Sequence, residues 1–133
     1  MNTTKALLFV LLFLSFMLQG CVLLAVGAGA AAGAGTVAYL KGELQTTYAA
    51  SLDRTWEAAL GALKDLNYRI ISSQKEGPEG EIEAKRVGED TVKVILMISG
   101  PGTTLVKIRV GIFGDEAVSR AINSRIASGL GVK

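Results

Sequence analysis

The sequence predicts an α+β fold in which two helices pack on one face of an antiparallel sheet of about four to five strands. Apolar residues recur at helical spacing in two stretches, 52–63 and 118–126. Elsewhere in the second half, apolar and polar residues alternate in short runs that are separated by glycine, proline and acidic residues. The predicted order is strand, helix, four strands, helix, preceded by a signal peptide and an apolar Gly/Ala-rich segment.

The first twenty residues have the features of an export signal. Lys5 is the only charged residue before an apolar run over residues 6–18, and a run of this length is typical of a secretory signal. We therefore expect residues 1–20 to be a removable lipoprotein signal peptide, because the residues that follow resemble a lipoprotein processing site.

That site is Leu18-Gln19-Gly20-Cys21. A lipobox has an aliphatic residue three positions before the cysteine, small residues just before it, and a thiol that can form a thioether with diacylglycerol. Leu18, Gly20 and Cys21 fit the pattern, whereas Gln19 is larger than the usual residue. We predict cleavage before Cys21 and membrane attachment through its lipid. The alternative is a free or buried cysteine after an uncleaved signal anchor.

Length and composition limit the rest of the chain. Residues 21–42 form a lipidated, membrane-proximal segment in this interpretation, and residues 43–133 suffice for one small domain. The net charge is +2, which gives neither a polybasic membrane patch nor a nucleic-acid footprint. The chain has no histidine and one cysteine, so it lacks the commonest metal ligand, the commonest general base and any internal disulfide. We expect no cofactor, no metal and no nucleic-acid partner.

Residues 22–40 carry no charge. As a helix they would extend about 28 Å, close to the thickness of a hydrocarbon core. Gly29 with Gly33, and Ala31 with Gly35, place small residues four apart, which lets another helix approach closely in lipid. We predict a glycine-zipper helix that inserts or self-associates, and a flexible tether is the alternative. A dinucleotide-binding loop is rejected because no strand precedes these glycines.

The α+β domain begins with a predicted strand over residues 43–50. Ser51 can cap the helix that follows, with Asp53 in its first turn, and Asn67 can end that helix. The apolar face of the helix comprises Leu52, Trp56, Ala59, Leu60 and Leu63. Trp56 is therefore predicted to anchor the core rather than to stack on a ligand.

From residue 68 the pattern has a period of two, which indicates strands joined by turns. The four predicted strands cover residues 68–73, 81–85, 91–99 and 103–112. On the last two strands, one face should cover the helices: Val92, Val94, Leu96, Ile98, Val106, Ile108 and Val110. The opposite face mixes apolar and basic residues, and apolar residues scattered on a solvent face are ordinary. The alternative is a partner surface formed by Ile95, Met97, Leu105 and Arg109, which requires the apolar residues to cluster.

The last helix is predicted to start at a cap on Asp115 and to end at Gly129. Its apolar face comprises Val118, Ala121, Ile122 and Ile126. The corner before it, residues 109–115, has a basic residue shortly before the acidic cap. This corner is predicted to be a tight turn with Arg109 solvated. An anion site or a partner contact near the helix N-terminus is the alternative.

The chain resembles an uncharacterised family of small Gram-negative lipoproteins, which share a lipobox, a Gly/Ala-rich segment and one compact α+β domain. The matching stretches are GAGTVAY at 33–39, SLDRTWEA at 51–58 and IRVGIFGDEAVS at 108–119. The resemblance implies a location in the cell envelope and a fold, but no activity. The order of elements is also similar to the helix-grip domains of lipoproteins that accompany outer-membrane assembly machinery.

The sequence favours a non-catalytic function. Serine chemistry requires a neighbouring base, and the paired carboxylates Glu81 and Glu83 project among charges, without an apolar pocket to separate their roles. We expect an interaction or structural module on the periplasmic side of the outer membrane, since Val22 replaces the aspartate that commonly signals inner-membrane retention. Its partners would be other envelope proteins, or itself through the Gly/Ala segment. The alternatives are a carrier of a small apolar ligand or lipid, and an oligomerising membrane element.

Overall fold

The computed structural model describes residues 3–12 and 36–132, which belong to two compact units, Met1–Ala31 and Ala32–Lys133. In the first unit, residues 3–12 form helix α1, and its large apolar side chains from Leu7 to Leu12 are all exposed. None of the helices in the described ranges is long and apolar enough to span a membrane. The predicted processing site and the four small residues of the predicted zipper, Gly29, Ala31, Gly33 and Gly35, lie outside the described residues.

The second unit contains a six-stranded antiparallel sheet with two helices, and the predicted fold class is confirmed. The sheet order is β1-β2-β6-β5-β4-β3. In chain order the elements are β1 (Thr36–Leu40), β2 (Glu43–Tyr48), α2 (Leu52–Asp65), β3 (Arg69–Glu76), β4 (Glu79–Lys85), β5 (Thr91–Gly100), β6 (Thr103–Val110) and α3 (Glu116–Leu130).

Strand β1 was not predicted. The sequence pattern predicts helix or tether for Thr36–Leu40 as part of the Gly/Ala segment, and for these five residues that prediction is wrong. They pair with β2 along their whole length, from Thr36 opposite Thr47 to Leu40 opposite Glu43. Backbone pairing with β2, together with the β propensity of threonine, valine and tyrosine, favours a strand here.

Both helices start at the predicted caps. The Ser51 hydroxyl accepts a hydrogen bond from the Arg54 amide, and the Asp115 carboxylate accepts one from the Val118 amide. Helix α3 does not end at Gly129 as predicted but at Leu130, and Gly131 caps it with a left-handed φ of 75°. Gly129 lies within the helix, at its contact with α2, where a Cβ would lie 3.3 Å from that of Ala58.

The core lies between the helices and one face of the sheet. Its β5 and β6 residues are those predicted, with one exception: Ile98 is 51% exposed. The pairing of β5 with β6 shifts between Ile98 and Gly100, and such an irregularity bends a strand away from its regular face. Below α3, the buried Tyr48 hydroxyl donates to the Asn123 side-chain oxygen at 2.6 Å, and burial raises the pKa of this phenol above its usual value.

Candidate interaction surfaces

The turn between β6 and α3 presents two large apolar side chains to solvent. We call residues Gly111 to Gly114 the apolar corner. Strand β6 stops at Val110 instead of continuing to residue 112 as predicted, because Gly111 takes a φ of 66°. Ile112 is then 86% exposed and Phe113 is 91% exposed. An isolated exposed apolar residue is ordinary, but two adjacent, almost fully exposed large ones are not.

The apolar corner is pressed backbone to backbone against the turn between β1 and β2. A Cβ on Gly114 would lie 2.2 Å from the Gly42 carbonyl oxygen, and one on Gly42 would lie 2.4 Å from the Phe113 carbonyl oxygen. Contacts this close leave room only for glycine at both positions, which also have positive φ angles. The two turns therefore form one closely packed unit.

Arg109 joins the same two turns through its guanidinium group. One terminal nitrogen donates to the Ile112 carbonyl at 3.4 Å and the other to the Lys41 carbonyl at 3.2 Å. The Glu43 carboxylate lies 4.0 Å from the second nitrogen. Both bonds are at or beyond the long end of the usual N–H···O range, and Arg109 connects the two turns as a brace because it reaches both of them at once. The backbone of the apolar corner is thus held from two sides, by Arg109 and by the β1–β2 turn.

The structure gives Arg109 and Asp115 structural roles. The Arg109 side chain is partly exposed to solvent, as predicted, but it also donates hydrogen bonds to backbone carbonyls, and Asp115 caps α3. Of the four residues predicted as a partner surface, Ile95, Met97 and Leu105 do come together on the sheet face away from the helices. Met97 is directly opposite Leu105, and Ile95 is opposite Lys107, the next outward residue of β6. Arg109 lies farther along β6 and does not join them.

This outer apolar cluster of Ile95, Met97 and Leu105 is half-buried and has charged residues beside it. The ammonium group of Lys93 lies 3.2 Å from a Glu81 oxygen and 3.3 Å from a Glu83 oxygen. Hydrogen bonds to these two carboxylates raise the pKa of Lys93. Glu81 and Glu83 thus share a cation on an open sheet face, and both are partly exposed.

A small cleft opens at the same end of the domain as the apolar corner, between the end of α2 and the start of α3. Its volume is about 260 Å³, and its lining includes Leu66, Tyr68, Val118 and Ile122. Arg86 stacks over the Tyr68 ring, 5.1 Å from its centroid, and pairs with Glu89. Burial, and then the hydrogen bond to Glu89, raise the Tyr68 pKa, while the hydrogen bond from Arg86 lowers that of Glu89.

Sequence reasoning missed Ile112 and Phe113 as surface residues. The available signal was their position between two glycines and ahead of a helix cap, which indicates a turn rather than a strand. Trp56 lies where predicted, against the sheet. No three His, Cys, Asp or Glu side chains within residues 3–12 and 36–132 form a group that could hold a metal.

Comparison with known proteins gives a family without an assigned activity. A family model described as a protein of unknown function (DUF3568) matches residues 5–129. Curated proteins provide no match to the chain. Since the matched region includes nearly the whole sequence, the chain belongs to the DUF3568 family of proteins of unknown function.

Proposed function

We propose that this protein is a lipid-anchored envelope protein whose α+β domain binds another envelope protein through the apolar corner. The lipid would be attached to Cys21, and the domain would face the periplasm from the outer membrane. Support for the anchor comes from the signal-like run and the lipobox pattern at Leu18 to Cys21. Support for the interaction comes from the corner.

The observation that carries the proposal is the braced exposure of Ile112 and Phe113. Aromatic side chains in a rigid setting are frequent anchors at the centres of protein interfaces. Covering both residues would remove a large apolar area from water, and the brace from Arg109 fixes their backbone beforehand. Exposing such a pair brings no folding benefit.

The position of the corner in the domain agrees with this role. The chain enters the sheet at Thr36, which pairs with Thr47, whereas the corner lies beyond the other end of that strand pair, where Glu43 is opposite Arg109. A domain held through the Thr36 end leaves the corner at its far end. The corner is then accessible to a partner.

The interaction role is supported better than the carrier role. The apolar cleft of about 260 Å³ is below the roughly 300 to 1,000 Å³ of ordinary ligand pockets. A larger cleft of about 710 Å³ beside α2 and α3 has charged residues in its lining, among them Asp53, Arg54 and Arg125, which does not suit an apolar ligand. Arg86, which lines the cleft, is already held by Glu89 and by the Leu66 carbonyl. The oligomerising role of the Gly/Ala segment concerns residues outside the described ranges and stays a prediction.

Photo-crosslinking in cells tests the corner. With a benzoylphenylalanine at position 113 of the full-length protein, we expect one discrete crosslinked protein band, because the probe replaces an anchor side chain at an interface. The matched control is the same probe in place of Val87, which is fully exposed on the loop between β4 and β5. It should give no such band. Equal labelling at both sites, or none at position 113, would contradict the proposal.

A second variant separates binding from folding. With the probe moved to position 116, an exposed residue at the start of α3 next to the corner, the band should persist in the wild-type background and disappear with Ile112→Ser and Phe113→Ser. Both side chains are almost fully exposed, so the double substitution should change the free energy of unfolding by no more than about 0.5 kcal/mol per residue. Loss of the band together with unfolding would point to a structural role instead.

Intact mass spectrometry tests the anchor. We expect the membrane-extracted protein to have the mass of the chain from Cys21 plus acyl groups. The variant Cys21→Ser should lack this species, because serine cannot form the thioether. Unmodified full-length masses in both samples would refute lipidation and make the N-terminal run a membrane anchor.

A further inference from the structure

The two edges of the sheet differ in how they are protected from further pairing. Strand β3, at one edge, has a register shift between Ile70 and Ser72 and carries the charged residues Arg69, Lys75 and Glu76. Bulges and edge charges are two of the devices by which natural proteins prevent another strand from adding to a sheet. This edge is therefore blocked.

Strand β1, at the other edge, has neither device. Its sequence Thr-Val-Ala-Tyr-Leu contains no charge, proline or glycine, and its pairing with β2 is regular over all five residues. Within the described part of the chain, β1 has a neighbouring strand on one side only. Val37 is 42% exposed and Leu40 is 55% exposed, although both are large apolar residues. An edge of this kind favours strand addition.

We propose that β1 pairs in antiparallel orientation with β1 of a second copy of this chain, so that the two sheets become continuous. A two-fold axis through Ala38 pairs all five residues with their counterparts. Val37 then lies opposite Tyr39 of the second copy, and Thr36 lies opposite Leu40. Aromatic residues opposite β-branched residues are favourable cross-strand pairs.

The strand is suited to a second copy because it is self-complementary. A symmetric interface requires each residue to tolerate its counterpart, and here no charge meets a like charge while the residue on the axis is small. The side chain of Ala38 shares the outer sheet face with that of Gln45, its partner in β2, so this position is free of core contacts. Five pairs form a short interface, and anchoring both copies in one membrane would raise their effective concentration. That last point rests on the proposed lipid anchor, but the strand pairing itself does not.

A charge exchange at Ala38 tests the pairing. Two tagged forms of the full-length protein are coexpressed, extracted in mild detergent and captured through one tag, and the other tag is then measured. We expect Ala38→Glu in both forms, or Ala38→Lys in both, to reduce co-capture at least about five-fold, since like charges then face each other across the axis. Combining Ala38→Glu in one form with Ala38→Lys in the other should restore co-capture, which an unfolded domain could not do.

The control is Gln74→Lys in both forms. Gln74 is on the outer face of β3 at the blocked edge, where it pairs with Glu81, and co-capture should stay at the wild-type level. Co-capture that survives Ala38→Glu in both forms would assign self-association to another part of the chain and overturn the proposal. Absence of wild-type co-capture would overturn it as well. Neither result bears on the crosslink at position 113, so the pairing of β1 and the role of the corner can fail independently.

Discussion

Gly114→Ala is expected to lower the free energy of unfolding by about 3 kcal/mol. Two costs contribute. A left-handed conformation costs an alanine roughly 1 to 2 kcal/mol more than it costs a glycine, and Gly114 has a φ of 84°. The new methyl group would also lie 2.2 Å from the Gly42 carbonyl oxygen, and forcing extra atoms into a packed site costs about 1 to 3 kcal/mol. Because the atoms on both sides of this contact are backbone atoms, neither turn can move easily to relieve the clash.

Gly131→Ala is the matched control for that experiment. Gly131 has a similar φ of 75°, but a Cβ there would meet nothing within 4 Å. Gly131→Ala should therefore lower the free energy of unfolding only by the cost of a left-handed alanine, about 1 to 2 kcal/mol. Urea unfolding followed by the fluorescence of the single tryptophan measures both variants. Equal losses would show that the corner moves away from the β1–β2 turn at no cost, and the rigid presentation of Ile112 and Phe113 would be refuted.

The sequence predicted the helix caps and the alternating strands well, because both depend on neighbouring residues or on one buried face. Ser51 and Asp115 cap the helices as predicted because capping depends on residues within one turn. Strands β5 and β6 were found because strict alternation follows from having one face buried. The same alternation placed Ile95, Met97 and Leu105 on the outer face, and the register of β5 with β6 then brought them together.

Strand β1 escaped prediction for a specific reason. The hairpin from β1 to β2 turns at Lys41 and Gly42, with φ angles of 52° and 79°. Positive φ at both turn residues usually calls for asparagine, aspartate or glycine at the first of them, and lysine gives no such signal. Because the sequence shows no signal for a turn here, residues 36–40 are predicted to continue the uncharged segment before them.

Arg109 shows why a long side chain is hard to assign from sequence. The alternation of apolar and polar residues along β6 predicted that Arg109 lies on the outer face, but it could not predict which groups accept its hydrogen bonds. One acceptor is the Lys41 carbonyl, 68 residues away along the chain, in the turn that the sequence did not reveal. The contact of Arg109 with the β1–β2 turn could therefore be recognised only once β1 was placed.

Trp56→Ala is expected to lower the free energy of unfolding by about 3 to 5 kcal/mol, the usual range for deleting a buried large aromatic side chain. The indole is 7% exposed and lies directly on the Cα of Gly80, where a Cβ would be 2.5 Å from the ring. Glycine at position 80 thus leaves a recess in β4 that the ring fills. Alanine at position 56 would leave that recess empty, with backbone as one of its walls and little freedom to collapse.

Lys75→Met separates the ring's packing from its surface contacts. The Lys75 ammonium lies 5.7 Å from the ring centroid and 2.6 Å from a carboxylate oxygen of Asp53. Exposed cation–π and ion pairs each contribute about 1 kcal/mol or less, so this variant should lose far less stability than Trp56→Ala. Circular dichroism is the appropriate probe, because Trp56→Ala removes the only tryptophan. Similar losses in the two variants would mean that Lys75 and Asp53 hold α2 on the sheet. A much larger loss for Trp56→Ala would identify the recess at Gly80 as the feature that positions the helix.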